Sequence, residues 1–236
     1  FWNVRVEDVL VGQESSSYRV NGEIPVIPLE SFSDEVASAM EDVSQKMEEQ
    51  DLYLNSSPGY WLRTFDRWAD CEEFIGFPLN NPLEKSSLLE TANYFAIAQD
   101  AETLNEESQR HCAVALQGNI KGELQHVTID TGYLMGPIRI QMTVSLYPEG
   151  SGMEPGTGGS WNGEAEFEIT SGVTGEGIPY TLVVSETPES DYYNDFSSAD
   201  AYFVLKNGLY TLDAVSPGRD SGADAKAALE ELLALF

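Results

Sequence analysis

Residues 110–147 read RHCAVALQGNIKGELQHVTIDTGYLMGPIRIQMTVSLY, and this stretch decides the fold. It contains three runs, 110–118, 123–131 and 137–147, that are rich in β-branched or alternating apolar residues. Such runs are typical of strands with one buried face. Turns that contain glycine separate them, and short turns join antiparallel strands. The stretch therefore predicts an antiparallel meander.

The chain after the meander predicts more strands and a closing helix. Further strand-like runs lie at 165–170, 178–184, 201–206 and 209–215, and the turn dipeptide Asn207-Gly208 joins the last two. Ser221 is a predicted N-cap, and the helix that follows, 223–236, has one apolar face: Ala225, Leu229, Leu232, Leu233 and Phe236. Residues 149–163 contain six glycines, which favours a mobile loop.

The chain before the meander predicts a hairpin and two helices. Asn21-Gly22 is typical of a tight hairpin turn. The first helix begins after Ser33 as N-cap and carries an apolar stripe at helical spacing: Val36, Met40, Val43 and Met47. The second begins after Asp66 as N-cap, contains Trp68, Cys71 and Ile75 on one face, and ends at Gly76.

These elements together predict an α+β fold. A bent antiparallel sheet, formed by the meander plus the C-terminal hairpin, packs with helices that include a C-terminal amphipathic helix. Residues 1–87 supply an N-terminal hairpin and helical segment that packs on the sheet, and residues 88–236 supply the sheet domain with its C-terminal helix. We expect the two parts to form one continuous globular unit.

The charge excludes several classes of partner. The chain has 40 Asp and Glu against 12 Lys and Arg, a formal net charge of −28. Because nucleic-acid binding requires clustered cations and the basic residues here are scattered from Arg5 to Lys226, we expect no nucleic-acid partner. No apolar run approaches the roughly 20 residues that cross a bilayer. The start at Phe1, without Met, leads us to expect an upstream part.

The sequence predicts no catalytic residue, cofactor or metal. His111-Cys112 and Asp220-Ser221-Gly222 resemble the His and Ser segments of trypsin-like proteases. However, a helix follows Ser221, and Ala223 stands where that family has glycine. The other histidine, His126, lies in a predicted strand, and neither histidine has the spacing of a metal site. We therefore interpret Ser221 as a helix cap and the protein as non-enzymatic.

Two groups of residues leave alternatives open. Cys71 and Cys112 either form a disulfide or are small buried hydrophobes. The loop 191–200 holds Asp191, Asn194, Asp195 and Asp200, which either chelate calcium or form a solvated acidic loop; the EF-hand glycine and glutamate are missing.

Aromatic residues in loops are the predicted partner-binding residues: Tyr192, Tyr193 and Phe196 in the acidic loop, and Trp161 in the glycine-rich loop. Aromatic side chains bury a large area at a small entropy cost, so they favour recognition surfaces. The alternative is that they pack onto the sheet as core.

Two segments carry a family resemblance. Residues 68–79 read WADCEEFIGFPL and resemble the W-x-x-x-E-E-F-I-G-x-P-L segment of extracytoplasmic regions in membrane-anchored proteins of Gram-positive gut bacteria. Residues 201–212 and the helix after them are similar to the closing hairpin and helix of domains attached to anti-sigma-factor-like membrane proteins. The resemblance implies an upstream transmembrane helix and a cytoplasmic segment before it. Its motifs are structural and imply no catalytic residue.

The resulting functional hypothesis is a non-enzymatic extracytoplasmic sensory or interaction domain of a membrane-anchored regulator, and the resemblance implies that this regulator is anti-sigma-factor-like. We expect a monomer that meets a cell-envelope ligand or protein and touches the membrane only through the upstream helix. An alternative is a secreted or surface module that binds glycan or peptide. A third hypothesis is an envelope hydrolase that uses a carboxylate pair, which would require a deep pocket with perturbed carboxylates.

The net charge makes a direct prediction about salt. A net charge of −28 on one compact body produces repulsion between its acidic groups, and dissolved ions screen that repulsion. Raising sodium chloride from about 10 to about 150 mM should therefore raise the melting temperature. Differential scanning calorimetry measures this. A flat or falling melting temperature would show that local ion pairs outweigh the general repulsion.

Overall fold

The computed structural model describes residues 4–12, 15–49, 59–94, 109–119, 121–153, 156–162, 165–186, 196–218 and 221–236. The strands in these ranges are β1 (Val4–Val11), β2 (Ser15–Gly22), β3 (Val26–Ile27), β4 (Gly59–Phe65), β5 (Glu90–Ala92), β6 (Cys112–Gly118), β7 (Leu124–Met135), β8 (Ile138–Pro148), β9 (Thr157–Asn162), β10 (Glu166–Val173), β11 (Pro179–Glu186), β12 (Phe196–Leu205) and β13 (Gly208–Pro217). The helices are α1 (Asp34–Glu49), α2 (Trp68–Ile75) and α3 (Gly222–Leu233), with short 3-10 turns at Leu29–Ser31 and Pro82–Lys85.

The fold is α+β and dominated by its sheets. The large sheet has the strand order β10-β11-β12-β13-β8-β7-β6-β4, with β3 and β5 paired to β8 and β7. The small sheet has the order β1-β2-β9. The predicted meander is confirmed, because β6, β7 and β8 are consecutive antiparallel neighbours. The C-terminal hairpin β12-β13 is also confirmed and extends the meander through pairing of β13 with β8.

One face of the large sheet carries the main core. Alternate residues of β6, β7, β8, β12 and β13 are apolar and fully buried on this face, and the three helices pack over them. The predicted apolar face of α3 is confirmed, because Ala225, Leu229, Leu232 and Leu233 are all buried; Phe236 is buried too, although the helix ends at Leu233 and not at 236 as predicted. The ring of Phe236 packs edge-on against Phe203 and Tyr210, with centroid distances of 5.0 and 6.1 Å.

The opposite face of the large sheet is only partly apolar, and the small sheet packs on the apolar part. Val4, Tyr18 and Val20 of the small sheet form a second buried cluster with residues of the large sheet that include Tyr202 and Leu209. The hydroxyl of Thr181 in β11 donates a hydrogen bond of 2.8 Å to the Val4 carbonyl. The two sheets are therefore joined by apolar contacts and by polar bonds.

The predicted turn at Asn21-Gly22 is wrong. Both residues belong to β2 and are paired with Arg5 and Val4 of β1, so the hairpin closes near residue 12 instead. The local preference of Asn-Gly for a turn is overridden here, because β1 stays paired with β2 through both residues. The segment after them does not return along β2; Val26 and Ile27 pair in parallel with β8.

The predicted mobile loop at 149–163 is wrong in its second half, because Thr157–Asn162 forms β9 and pairs with β2. Glycine permits this close pairing: a Cβ atom on Gly158 would lie 2.1 Å from the Tyr18 carbonyl oxygen. The glycines that suggested a loop are thus what allow two strands to approach.

The helix boundaries agree with the sequence in part. Ser33 caps α1 as predicted, since its Oγ accepts a hydrogen bond of 3.2 Å from the Val36 amide. Gly76 ends α2 as predicted, with φ at 101°. The predicted N-cap Asp66 is wrong, because Arg67 occupies that position and Asp66 forms an ion pair with Arg110 at 3.7 Å.

One predicted turn and one predicted cap near the C-terminus also need correction. The β12-β13 turn falls at Lys206 and Asn207, one residue earlier than predicted, and Lys206 takes the positive φ of 54°. Ser221 stands at the N-cap of α3, but its side chain makes no capping bond. Its Oγ donates instead to the carbonyls of Gly218 and Ser216, at 2.6 and 3.2 Å.

The burial of the α3 face predicts the cost of truncating it. Leu229 is 0% exposed, so Leu229→Ala should lower the free energy of unfolding by about 2–5 kcal/mol, through lost apolar contact and a residual cavity. The matched control is Leu235→Ala, because Leu235 is 39% exposed and should change stability by less than about 1 kcal/mol. Urea denaturation measures both, and equal losses would contradict the packing of α3.

Candidate functional site

A cleft of about 430 Å³ opens between the small sheet and the polar part of the large sheet, and we call it the polar cleft. Its floor is formed by β8, β13 and β12, and its wall by residues 157–160 of β9 and by Tyr18 of β2. Among the residues that line the floor are Thr143, Thr211, Asp213 and Asp200. The cleft therefore places carboxyl and hydroxyl groups together under a partial cover.

Strand alternation explains why these polar groups share one face. Side chains at positions i and i+2 point to the same side of a strand, so Ser198, Asp200 and Tyr202 of β12 face the cleft together. Their neighbours Ala199 and Ala201 face the main core. The same alternation in β8 and β13 gives each strand one apolar face, toward the core, and one polar face, toward the cleft.

Asp200 and Asp213 form a carboxyl pair at the centre of the floor. They are directly paired across β12 and β13, and Asp213 donates a hydrogen bond to Asp200. Burial raises the pKa of both carboxyls, and the charge of Asp200 raises the pKa of Asp213 further. A pair of this kind holds one proton between two carboxyls.

Two tyrosines complete the hydrogen-bond chain. The hydroxyl of Tyr18 donates to Oδ2 of Asp200 at 2.8 Å and lies 2.6 Å from the hydroxyl of Tyr202. Tyr18 has one hydroxyl proton and donates it to Asp200, so Tyr202 is the donor in the contact between the two tyrosines. Burial, followed by the charge of Asp200, raises the pKa of both tyrosines, which stay protonated. The chain Tyr202 to Tyr18 to Asp200 thus connects the small sheet to the floor of the cleft.

A third carboxyl, Asp130 of β7, lies on the same sheet face beside the floor, paired across the strands with Thr143 of β8. Thr143 donates to its Oδ1 at 2.5 Å and Gln141 at 3.3 Å. Burial raises the pKa of Asp130, and these two hydrogen bonds oppose that effect. The charge of Asp130 also raises the pKa of Asp213. Three acids on one sheet face therefore favour retention of a proton in the cleft.

A separate polar cluster lies on the other face of the sheet, around His111, which immediately precedes β6. Its Nε2 is 2.7 Å from Oε1 of Glu84, and its Nδ1 is 2.9 Å from the Ala92 carbonyl. Burial lowers the pKa of His111, but hydrogen bonds with Cys112 and Glu84 outweigh this and raise it to about 10. Tyr133 also donates to Glu84 at 2.6 Å. The cluster ties the 82–85 turn to the sheet.

The structure does not bring the protease-like residues together. His111 bonds Glu84 and Ala92, whereas Ser221 bonds the carbonyls of the segment that leads into α3. His126 lies in β7, as predicted, and stacks on Tyr147 at a centroid distance of 4.8 Å. Burial lowers its pKa to about 4, so it is neutral at physiological pH.

Of the four predicted partner-binding residues, Phe196 lines the polar cleft, where it begins β12 and is partly buried. Trp161 belongs to β9 and pairs with Ser16, but its side chain lies outside the described residues. Tyr192 and Tyr193 lie outside the described residues as well.

The calcium alternative for loop 191–200 falls largely on residues outside the described ranges. Of its four candidate ligands, Asp200 is described, and it belongs to β12 rather than to a loop. Within the described part of the chain, no three His, Cys, Asp or Glu side chains are placed to hold a metal ion.

Sequence reasoning missed Asp130 and Asp213 and named Asp200 only as a possible calcium ligand in a loop, although a signal was present. Asp200 and Asp213 each stand in a strand between apolar neighbours, in the sequences ADA and LDA, and Asp130 follows Ile129 in the sequence IDT. Aspartate is depleted in strands, so an aspartate inside an alternating apolar run indicates a special environment. Their convergence on one face depends on strand pairing, which the run alone does not give.

The chain matches no family model, no curated protein and no solved structure. In the ranges that the structure describes, no helix is long and apolar enough to cross a membrane. The fold and the cleft define a sheet-based α+β protein with an acid-lined site between two sheets.

The shared proton predicts a pH-dependent stability that Asp213→Asn removes. Because the folded chain holds a proton on Asp213 more tightly than the unfolded chain does, its contribution to the free energy of unfolding falls as the pH rises above the ordinary Asp pKa of 3.8. The Asn amide donates to Asp200 without needing a proton. We therefore expect the melting temperature of Asp213→Asn, relative to the wild type, to increase between about pH 4 and about pH 8.

The control for this measurement is Asp42→Asn, because Asp42 is exposed on α1. Its melting-temperature difference from the wild type should stay nearly constant over the same pH range. A difference for Asp213→Asn that is equally independent of pH would show that the pair does not retain a proton.

Proposed function

We propose that this chain is a non-enzymatic, extracytoplasmic sensory domain that binds a small, neutral, hydroxyl-rich ligand, a sugar unit of cell-envelope glycan, in the polar cleft. The observation that carries the proposal is the Asp200–Asp213 pair, joined to Tyr18 and lining a cleft of about 430 Å³. Ligand clefts in proteins typically have about 300–1,000 Å³ and a few convergent polar groups.

The chemistry of the lining supports a hydroxyl-rich ligand. A sugar hydroxyl both donates and accepts hydrogen bonds, and it needs partners that can do the same. The carboxyl pair uses its proton internally and offers acceptor oxygens. The hydroxyl of Thr143, which donates to Asp130, can also accept, and the hydroxyls of Thr211 and Ser198 can donate and accept. The ring of Phe196 offers an apolar surface against which the C–H face of a sugar ring can pack.

The charge supports a neutral ligand over an anionic one. The chain carries a net charge of −28, and the described lining of the cleft contains two carboxyls and no Lys or Arg. A phosphate or carboxylate ligand would meet repulsion without a cation to offset it.

The link between the two sheets supports a sensory role. Tyr18 belongs to the small sheet and Asp200 to the large one, so their hydrogen bond of 2.8 Å crosses the cleft. A ligand hydroxyl that bonds Asp200 competes with Tyr18 for the same oxygen. Ligand binding would therefore change the contact between the sheets, which is a physical route from site to partner.

Hydrolysis in the same cleft is the second candidate function, because a carboxyl pair that shares a proton can activate water. The geometry favours binding over glycoside hydrolysis. Asp200 and Asp213 are direct cross-strand neighbours whose carboxyls interact with each other, whereas glycosidase carboxyls stand about 5–9.5 Å apart to flank a sugar. The envelope hydrolase therefore stays the alternative.

The proposed location follows from the family resemblance of residues 68–79 and 201–212. We propose that the domain stands on the outer side of the membrane of a Gram-positive bacterium, anchored through an upstream helix, and that it acts as a monomer on a cell-envelope ligand. Secretion without an anchor is the alternative. Reading the gene for about 20 apolar residues before Phe1 distinguishes the two.

The binding proposal is tested by calorimetric titration of the purified chain with neutral monosaccharides, glucose and N-acetylglucosamine, and with solubilised peptidoglycan fragments. We expect binding of at least one of these, and Phe196→Ala should weaken it about tenfold, equivalent to about 1.4 kcal/mol. The control is Tyr60→Ala, an aromatic residue of β4 that is 65% exposed and does not line the cleft. It should leave the affinity unchanged.

Two outcomes would contradict this proposal. Absence of binding to all the probes, or equal binding by Phe196→Ala and the wild type, would remove the polar cleft as the glycan site. Cleavage of a probe, detected by chromatography and abolished by Asp200→Asn, would replace the sensory function by the hydrolase.

A further inference from the structure

Cys71 and Cys112 are brought together by three consecutive elements. β4 ends at Phe65, which is paired directly with Cys112 in β6. α2 begins three residues later and folds back over the sheet, so that Cys71, in its first turn, lies against Cys112. The two thiols share a hydrogen bond, and both side chains are 0% exposed.

Packing around α2 holds this arrangement. Phe74 of α2 stacks on Trp61 of β4 at a centroid distance of 5.0 Å and lies 5.7 Å from the ring of Phe65. Ser33 donates a hydrogen bond to the Phe74 carbonyl, and Gly76 ends the helix. The helix therefore presents Cys71 to β6 in a fixed position.

The groups next to Cys112 favour its thiolate. Its Sγ lies 3.6 Å from Oγ1 of Thr131, which lies 3.1 Å from Nε2 of His111. Hydrogen bonds with Cys71 and His111 and the charge of His111 outweigh burial and lower the pKa of Cys112 to about 6. The acids of this region do not face Cys112 directly: Glu84 bonds His111, and the charges of Asp70 and Glu72 raise the pKa of Cys71. Cys112 is therefore the more acidic of the two thiols. Thiolate is the form that attacks disulfides.

We propose that Cys71 and Cys112 are a redox modification site that forms an intramolecular disulfide with a disulfide donor, either a thiol–disulfide oxidoreductase or a small-molecule disulfide. The Cys112 thiolate attacks the donor disulfide, which forms a mixed disulfide and releases one donor thiolate. The Cys71 thiol loses its proton and attacks the Cys112 sulfur, and the second donor thiolate leaves. The chain loses two electrons and two protons, and the donor is reduced to two thiols.

Burial determines when the exchange takes place. A donor cannot reach either sulfur while α2 is packed, so the reaction occurs during folding, before α2 closes over β6; at that stage His111, and not Cys71, is the group that lowers the pKa of Cys112. Once formed, the bond is sheltered from reductants in the same way. The loop that it closes, residues 72–111, includes the cluster around Glu84 and His111.

The disulfide should stabilise the fold. A covalent link between α2 and β6 reduces the conformational freedom of the unfolded chain, an effect that raises the melting temperature of a chain of this size by about 5–15 °C. The two cysteines lie on the core face of the large sheet, opposite the polar cleft. The inference is thus independent of the proposed ligand.

The test refolds the full chain from urea in a buffer of reduced and oxidised glutathione, and in parallel in a phosphine reductant. Each sample is then unfolded without reductant, treated with iodoacetamide and weighed by mass spectrometry. We expect the glutathione sample to take up no alkyl group and to weigh two hydrogens less than the unalkylated reduced chain. The reduced sample should take up two alkyl groups and melt about 5–15 °C lower.

Cys71→Ala is the matched control, with one thiol left to alkylate or to carry a single glutathione. Its melting temperature should not differ between the two buffers. Two alkyl groups on the wild-type chain after glutathione refolding, or a disulfide that joins two chains, would overturn the proposal. The wild-type masses decide the question even where the variant fails to fold.

Discussion

The hydrogen bond from Tyr18 to Asp200 is the contact on which the arrangement of the two sheets depends. A buried carboxyl without partners costs several kcal/mol, so Asp200 must be satisfied wherever the small sheet covers it. Tyr18 supplies one donor from the small sheet and Asp213 supplies another from the adjacent strand. Removing Tyr18 would leave the buried Asp200 carboxylate with one hydrogen bond fewer, and the small sheet would lose its polar attachment to the floor of the cleft.

The same contact divides one sheet face into two regions with different roles. On one side of Tyr18, Val4 and Val20 pack against apolar residues and fix the small sheet. On the other side the carboxyls and hydroxyls remain accessible between the sheets. An apolar cluster therefore gives the rigidity, and the polar region beside it gives the chemistry of the proposed site.

Much of the fold could be predicted because its signals are local. The stripe of α1 at Val36, Met40 and Val43, the alternation of β6 to β8 and the apolar face of α3 are local patterns, and each is found in the structure. The side chain of Met47, the last residue of the predicted stripe, lies outside the described residues. The pairing of β9 with β2 was not predictable in this way, because it joins residues far apart in the chain and depends on a backbone approach that Gly158 permits.

The site depends on the register of β12 against β13, and a sequence predicts the register of a strand pair less well than it predicts the strands themselves. With the expected turn at Asn207-Gly208, Asp213 would stand opposite Tyr202. The observed turn lies one residue earlier and places Asp213 opposite Asp200. A change of one residue in a turn thus creates the carboxyl pair, and no property of either strand by itself contains that information.

Among the residues that the structure describes, the large sheet ends in β10 on one side and β4 on the other, and both strands expose apolar side chains: Ile169 and Val173 in β10, Tyr60 and Leu62 in β4. Exposed strand edges are templates for pairing between molecules. The net charge of −28 keeps copies of the chain apart, and salt that relieves repulsion within one molecule also relieves it between molecules. Ionic strength therefore sets a concentration limit for this protein, above which the conditions that favour the folded chain also favour edge-to-edge assembly.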